Sequence, residues 1–137
     1  MFIRIVLIPL VLSCSVGLAR ADWIMLRGAS SGDFTVYIDP STHRIDKKTG
    51  LVKMLILYDL KTVPTRFQAP YLSMMGHEQY DCKEEQSRVL TTAFFNGHMA
   101  KGKVVLNSSA EGTWQTVAPG SANEALWTMA CAIATKP

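Results

Sequence analysis

Ser121-Ala122-Asn123-Glu124-Ala125-Leu126-Trp127-Thr128-Met129-Ala130-Cys131-Ala132-Ile133 is the stretch that decides the fold. Ser121 and Glu124 stand at capping-box spacing. The serine oxygen takes the amide of the third helical residue and the glutamate reaches back to the serine amide, so a helix begins at Ser121. Leu126, Met129, Ala130 and Ile133 fall on one stripe at helical spacing, with Trp127 and Cys131 one turn apart beside it. A helix of this length is marginal alone in water and must bury that stripe on another element.

The preceding chain offers a sheet for it to bury against. Phe34, Val36 and Ile38 alternate with Thr35 and Tyr37, as a half-buried strand requires. Trp23-Ile24-Met25-Leu26-Arg27 is the strand before it, across a Ser/Gly-rich turn, and Asp39-Pro40-Ser41 is expected to end the Phe34 strand because proline cannot donate to a ladder. Residues 51–58 form the longest β-rich run, with Lys53 its only charge. Pro64 and Pro70 bracket a less regular connection carrying Arg66, Phe67 and Gln68, the largest candidate surface for variation. Two strands over residues 72–82 and 87–95 follow, joined by the solvated turn Lys83-Glu84-Glu85-Gln86. Asn96-Gly97 ends that hairpin. Residues 103–107 make a sixth strand, and residues 108–120, with Trp114, an irregular passage. The expected class is α+β: an antiparallel sheet of about six strands with one C-terminal helix packed on its face.

The first 21 residues have the three parts of a secretory signal peptide. Arg4 supplies the basic start, residues 5–12 the apolar run, and Ala19 and Ala21 the small residues of a cleavage site, giving a mature start at Asp22. The apolar run falls far below the ~20 residues a spanning helix needs, so no transmembrane segment is expected in the mature chain. A competing reading takes Val11-Leu12-Ser13-Cys14 as a lipoprotein box with Cys14 acylated, although Leu12 is larger than usual before such a cysteine. Removing the leader takes Arg4 and Arg20 with it, leaving twelve basic against eleven acidic side chains where the full chain has 14 and 11. With that near balance and no basic cluster interleaved with aromatics, the footprint of a nucleic-acid binder is missing. Residues 22–137 suit one domain with one core.

Export determines how the two remaining cysteines are read. Cys82 and Cys131, sent to an oxidising compartment without a partner motif, form a structural tie between strand end and helix. Their spacing excludes a CxxC oxidoreductase, and a zinc site lacks two further ligands. His43, His77 and His98 are dispersed over turn, strand and loop. His77-Glu78 fails as a zinc-protease motif because Asp81 stands where the second histidine belongs. No Gly-x-Ser-x-Gly elbow positions a serine nucleophile, Glu84-Glu85 is a solvated hairpin tip, and the phosphate-binding glycine patterns are absent. Asn107-Ser108-Ser109 matches a glycosylation sequon. The residues therefore declare no catalytic, metal or cofactor site, and a non-enzymatic binding domain is expected.

Asp22-Trp23, Tyr37-Ile38-Asp39-Pro40-Ser41, Tyr80-Asp81-Cys82-Lys83 and Pro119-Gly120-Ser121 leading to Cys131 resemble, in order and spacing, the surface-adhesin protein E family of Gram-negative bacteria. The resemblance covers essentially the whole mature chain. It implies an antiparallel sheet of about six strands with a C-terminal helix on its concave face, held by one disulfide. It also implies an exported domain of the periplasm or cell surface, in some members lipid-anchored or a homodimer, binding host extracellular-matrix and serum proteins such as vitronectin, laminin and plasminogen. The alternative is a periplasmic structural or small-ligand-binding protein that uses the cleft between helix and sheet. A closed pocket lined by Trp127, Met129 and strand residues would mark that alternative, and an exposed apolar patch or sheet edge would mark protein binding.

Overall fold

In the computed structural model, which describes residues 21–64 and 70–135, the alternating runs pair into one antiparallel sheet. Its strands are β1 (Ile24–Met25), β2 (Phe34–Ile45), β3 (Val52–Leu60), β4 (Ser73–Asp81), β5 (Gln86–Val89), β6 (Thr92–Phe95), β7 (Val104–Ser108) and β8 (Gln115–Thr116), followed by helix α1 (Ala122–Ala134). The order runs β1-β2-β3-β4 and then forks. β4 holds β5 and then β8 along its C-terminal half, and β6 and then β7 along its N-terminal half.

Eight strands replace the expected six, for a definite reason. The run over 87–95 does not stay one strand, because the amides of Leu90 and Thr91 both donate to the carbonyl of His77, at 2.8 and 3.4 Å. That is a β-bulge, and it bends β5 away from β6. The facing residue on β4 is Gly76, where a Cβ would lie 1.9 Å from the Thr91 carbonyl oxygen. The other addition is β8, two residues of the 108–120 passage, expected to be irregular, that pair with Gln86 and Ser87 at the sheet edge.

Asp39-Pro40-Ser41 does not end β2 either. Register with β3 slips between Asp39, opposite Leu55, and Arg44, opposite Lys53, so residues 40–43 stand against Met54 alone. Side chains replace the missing ladder bonds there. Asp39 Oδ1 accepts from the Ser41 amide and hydroxyl, while Thr42 Oγ1 donates to the Asp39 carbonyl at 2.6 Å and accepts from the Leu55 amide at 3.0 Å.

Residues paired across strands share a face, so the register sorts the sheet into two. Val36, Ile38, Val52, Met54, Ile56 and Tyr80 lie on the inner face and are buried together with Leu126 and Ala130 of α1. Burial of a large aliphatic side chain contributes on the order of 1.5–3 kcal/mol, and this cluster is the principal core. Ser121 caps α1 as its spacing predicts, accepting from the Glu124 amide at 3.1 Å. The second half of the box is displaced by one residue: Glu124 Oε2 accepts from the Gly120 amide at 3.0 Å. The Ser121 amide is already given to the Ala118 carbonyl. Three further ties fix α1 on the sheet. Cys131 bonds Cys82 with Cα atoms 5.8 Å apart, Trp127 Nε1 donates to the Asp81 carbonyl at 2.9 Å, and the Asn123 amide and Ser87 hydroxyl exchange hydrogen bonds.

Candidate functional site

The helix covers only part of the inner face. Tethered at Ser87, Asp81 and Cys82, it lies over β2, β3 and the C-terminal end of β4. On the remainder, the register places Tyr58 of β3, Met74, Gly76 and Glu78 of β4, Val89 of β5, Phe94 of β6 and Leu106 of β7 on one surface. Val89 is 42% exposed and Leu106 57%. This is a strip of apolar side chains ending at β7, which pairs with β6 alone among the described strands.

Two open hollows sink into that strip. One, about 420 Å³, lies between β5, the segment Gly112 to Gln115 and the start of α1, and has polar walls including Ser87, Thr113, Gln115 and Asn123. The other, about 320 Å³, is walled mainly by Met74, Val89, Thr92 and Phe94. Tyr58, Glu78 and Val89 line both, so the hollows meet over Glu78.

Glu78 is the one buried acid on this surface. Its Oε1 accepts from the Tyr58 hydroxyl at 2.8 Å and its Oε2 from the Tyr80 hydroxyl at 2.7 Å. Burial pushes the Glu78 carboxyl above its ordinary value, with the Tyr80 and Tyr58 hydrogen bonds pulling the other way. Both tyrosines are held protonated well beyond the usual phenol range, by burial first and then by the neighbouring carboxylate. The adjoining edge is held by Arg88, which pairs with Gln79 on the outer face. Its Nε donates to Gln79 Oε1 at 2.8 Å, its Nη1 lies 3.2 Å from Glu111, and its guanidinium sits 4.7 Å over the ring of Trp114. That contact anchors the otherwise irregular 108–117 segment to the sheet.

The residues singled out by sequence do not converge. Cys82 and Cys131 meet as a disulfide at the helix, away from the hollows. His43 lies on β2, its Nε2 3.4 Å from the Ala130 carbonyl; His77 faces Thr91; and His98 sits beside Asp59, 3.2 Å away. Burial, followed by the charge of Lys53, lowers His77 below the usual histidine range. Lys83, Glu84 and Glu85 form an exposed turn. Ala21 and Asp22 are exposed at the start of the described residues, while Cys14, the leader and Arg66, Phe67 and Gln68 lie outside them. Among the described residues, no cluster of His, Cys, Asp and Glu could hold a metal ion, and no helix is long and apolar enough to cross a membrane. Between helix and sheet, Met129 packs on the core, and Trp127 lines an open hollow of about 240 Å³ with Val117 and Pro119.

In the sequence Glu78 stands out only as half of a failed zinc motif. The overlooked signal was parity. Met74, Gly76, Glu78 and Tyr80 alternate along β4, so a strand whose Tyr80 faces the core carries Glu78 on that same face.

The sequence profile of the family described as surface-adhesin protein E matches residues 23–132. No curated protein matches the sequence. Among solved structures, crystal form II of Haemophilus influenzae protein E is similar at a TM-score of 0.65 and 15% identity, over 85% of this chain and 92% of that one. Its selenomethionine form follows at 0.61 and 13%, over 82% and 88%. The protein E of non-typeable Haemophilus influenzae gives 0.54 and 15%, over 85% and 79%. At these identities the likeness is one of fold.

Proposed function

We propose, since the chain belongs to the surface-adhesin protein E family, that it is an exported, non-enzymatic adhesin whose ligands are host matrix or serum proteins. The observation that carries this reading is the part of the inner face that α1 leaves uncovered. Val89 and Leu106 are exposed there beside half-buried Met74 and Phe94, and the strip runs to the edge of β7 that no described strand pairs. Large apolar groups gathered at an unpaired strand edge are the material of protein recognition. Export rests on the leader pattern of residues 1–21, with cleavage expected before Asp22.

The test has two parts. Mass spectrometry of the protein from its own cells is expected to give a start at Asp22, and a lipid-modified Cys14 would replace the soluble form with an anchored one. Purified mature protein is then offered immobilised vitronectin, laminin and plasminogen. Leu106→Asp, at an exposed position, is expected to weaken binding without lowering the unfolding midpoint. Absence of binding to all three, together with no labelling of the protein on intact cells, would overturn the adhesin reading.

A further inference from the structure

Glu78 is a buried carboxyl without a cation. Among the described residues the ion pairs are Arg88 with Glu111 and His98 with Asp59, and neither involves it. Tyr58 and Tyr80 each give one hydroxyl, one to each carboxylate oxygen, and a carboxylate oxygen keeps a lone pair for a second donor. Buried acids are ordinarily paired, and two neutral donors offset only part of the cost of a charge on a residue 9% exposed. The cation on the adjacent strand, Arg88, borders the larger hollow but is committed elsewhere: its Nε donates to Gln79, its Nη1 pairs with Glu111 and its guanidinium lies over Trp114. The inner-face neighbours on β5, Ser87 and Val89, are uncharged, as is Asn123 of α1.

The surroundings are matched to a particular kind of group. From Glu78 the smaller hollow runs between Met74, Val89 and Phe94, an apolar channel open to solvent. Lysine and arginine carry a charged head on a methylene stem that lies readily along such a wall. We infer that the hollow over Glu78 receives a cationic side chain, lysine or arginine, of a polypeptide partner, with its stem against Met74 and Phe94 and its head on the carboxylate. This rests on the adhesin reading for the nature of the partner and adds to it the recognition site and its charge. Leu106, paired with Phe94 at the far rim, gives the partner's flanking residues an apolar seat.

The probes are acetyl-Leu-Arg-Leu-amide and the same peptide with citrulline, which keeps the shape and loses the charge. Titration calorimetry of the mature protein near neutral pH is expected to show the arginine peptide binding about tenfold or more tighter, since removing one member of a buried charge pair is costly. Glu78→Gln is expected to erase that preference. Val89→Arg changes an exposed residue that is the register partner of Glu78. It supplies an internal cation and is expected to abolish binding while leaving the fold intact. Equal affinity for the two peptides, a preference that survives Glu78→Gln, or no binding at millimolar peptide would each overturn the inference. Matrix-protein binding that persists in Glu78→Gln and Val89→Arg would sink this site alone. Arginine-peptide binding without any matrix-protein binding would sink the adhesin reading and leave the site standing.

Discussion

Alanine in place of Gly76 puts a methyl group where the backbone leaves no room. Its Cβ would lie 1.9 Å from the Thr91 carbonyl oxygen, 1.5 Å inside the 3.4 Å at which ordinary contact begins. The Thr91 carbonyl carbon at 3.0 Å and Thr92 Cα at 3.2 Å block the neighbouring directions. Every one of these atoms is backbone, so no rotamer change relieves the overlap, and β4 must part from the β5–β6 bulge. Parting them strains the two hydrogen bonds to His77 O and the one from the His77 amide to Thr91 Oγ1, at 3.1 Å. Losing two such bonds costs about 2 kcal/mol net. Overpacking adds roughly 1–3 kcal/mol, and the better strand propensity of alanine returns about 0.5–1 kcal/mol. The expected loss is therefore about 3 kcal/mol, a large share of the ~5–15 kcal/mol a domain commonly has. Urea unfolding followed by tryptophan fluorescence reads it as a lower midpoint at unchanged slope. Gly32→Ala is the control, because nothing lies within 4 Å of its Cβ, and its expected change is within about 0.5 kcal/mol. A Gly76→Ala loss under about 1 kcal/mol, or equal losses in the two variants, would refute the claim that the bulge demands this glycine.

Three further outcomes follow from the core and its polar centre. Cys131→Ser opens a loop with a sequence separation of 49 and, on the chain-entropy account, removes about 4 kcal/mol. That is roughly 15 °C in melting temperature for a domain this size, and an unchanged melt would remove the staple. Burial raises the folded pKa values of Tyr58 and Tyr80 above the ordinary phenol value of about 10. The unfolded chain therefore loses those protons first, and stability falls as pH climbs past the ordinary phenol value, by about 1.4 kcal/mol per pH unit for each tyrosine. Tyr80→Phe should show a slope shallower by about 1.4 kcal/mol per pH unit in alkaline urea melts, and identical slopes would count against the burial argument. Glu78 is also raised, so its protonated form is favoured in the fold. Its contribution is complete below the unfolded value of 4.5 and is lost as pH rises through the folded one. Against Glu78→Gln, the native protein should lose melting temperature over that window, and parallel pH profiles would contradict the assignment.

The features legible in the chain were those written in neighbouring residues. A serine three positions before a glutamate marks a helix start whatever lies around it, and alternation over residues 34–38 marks a strand. Two cysteines behind a leader pattern predict the covalent tie that joins them. Pro40 misled because its missing amide is a local fact, whereas the repair is not: Thr42 accepts from Leu55, on another strand. The run over 87–95 likewise reads as continuous, since its break depends on His77 receiving two amides and on Gly76 across the ladder making room.

Glu78 draws the line most clearly. Strand parity was enough to put it on the face that bears the helix, because successive side chains on a strand alternate by backbone geometry alone. Whether that face would be dry or wet at Glu78 was settled only by where α1 is tethered and how far it reaches. The helix stops short of β6 and β7, leaving the carboxyl buried between tyrosines from two strands and Glu78 in the wall of a hollow. Periodicity, caps and cysteine usage are properties of consecutive residues, so the sequence by itself determined the elements and their tie. Desolvation depends on atoms brought together from β3, β4, β5 and α1, so only the tertiary structure could turn one ordinary glutamate among eleven acidic residues into the centre of a candidate site.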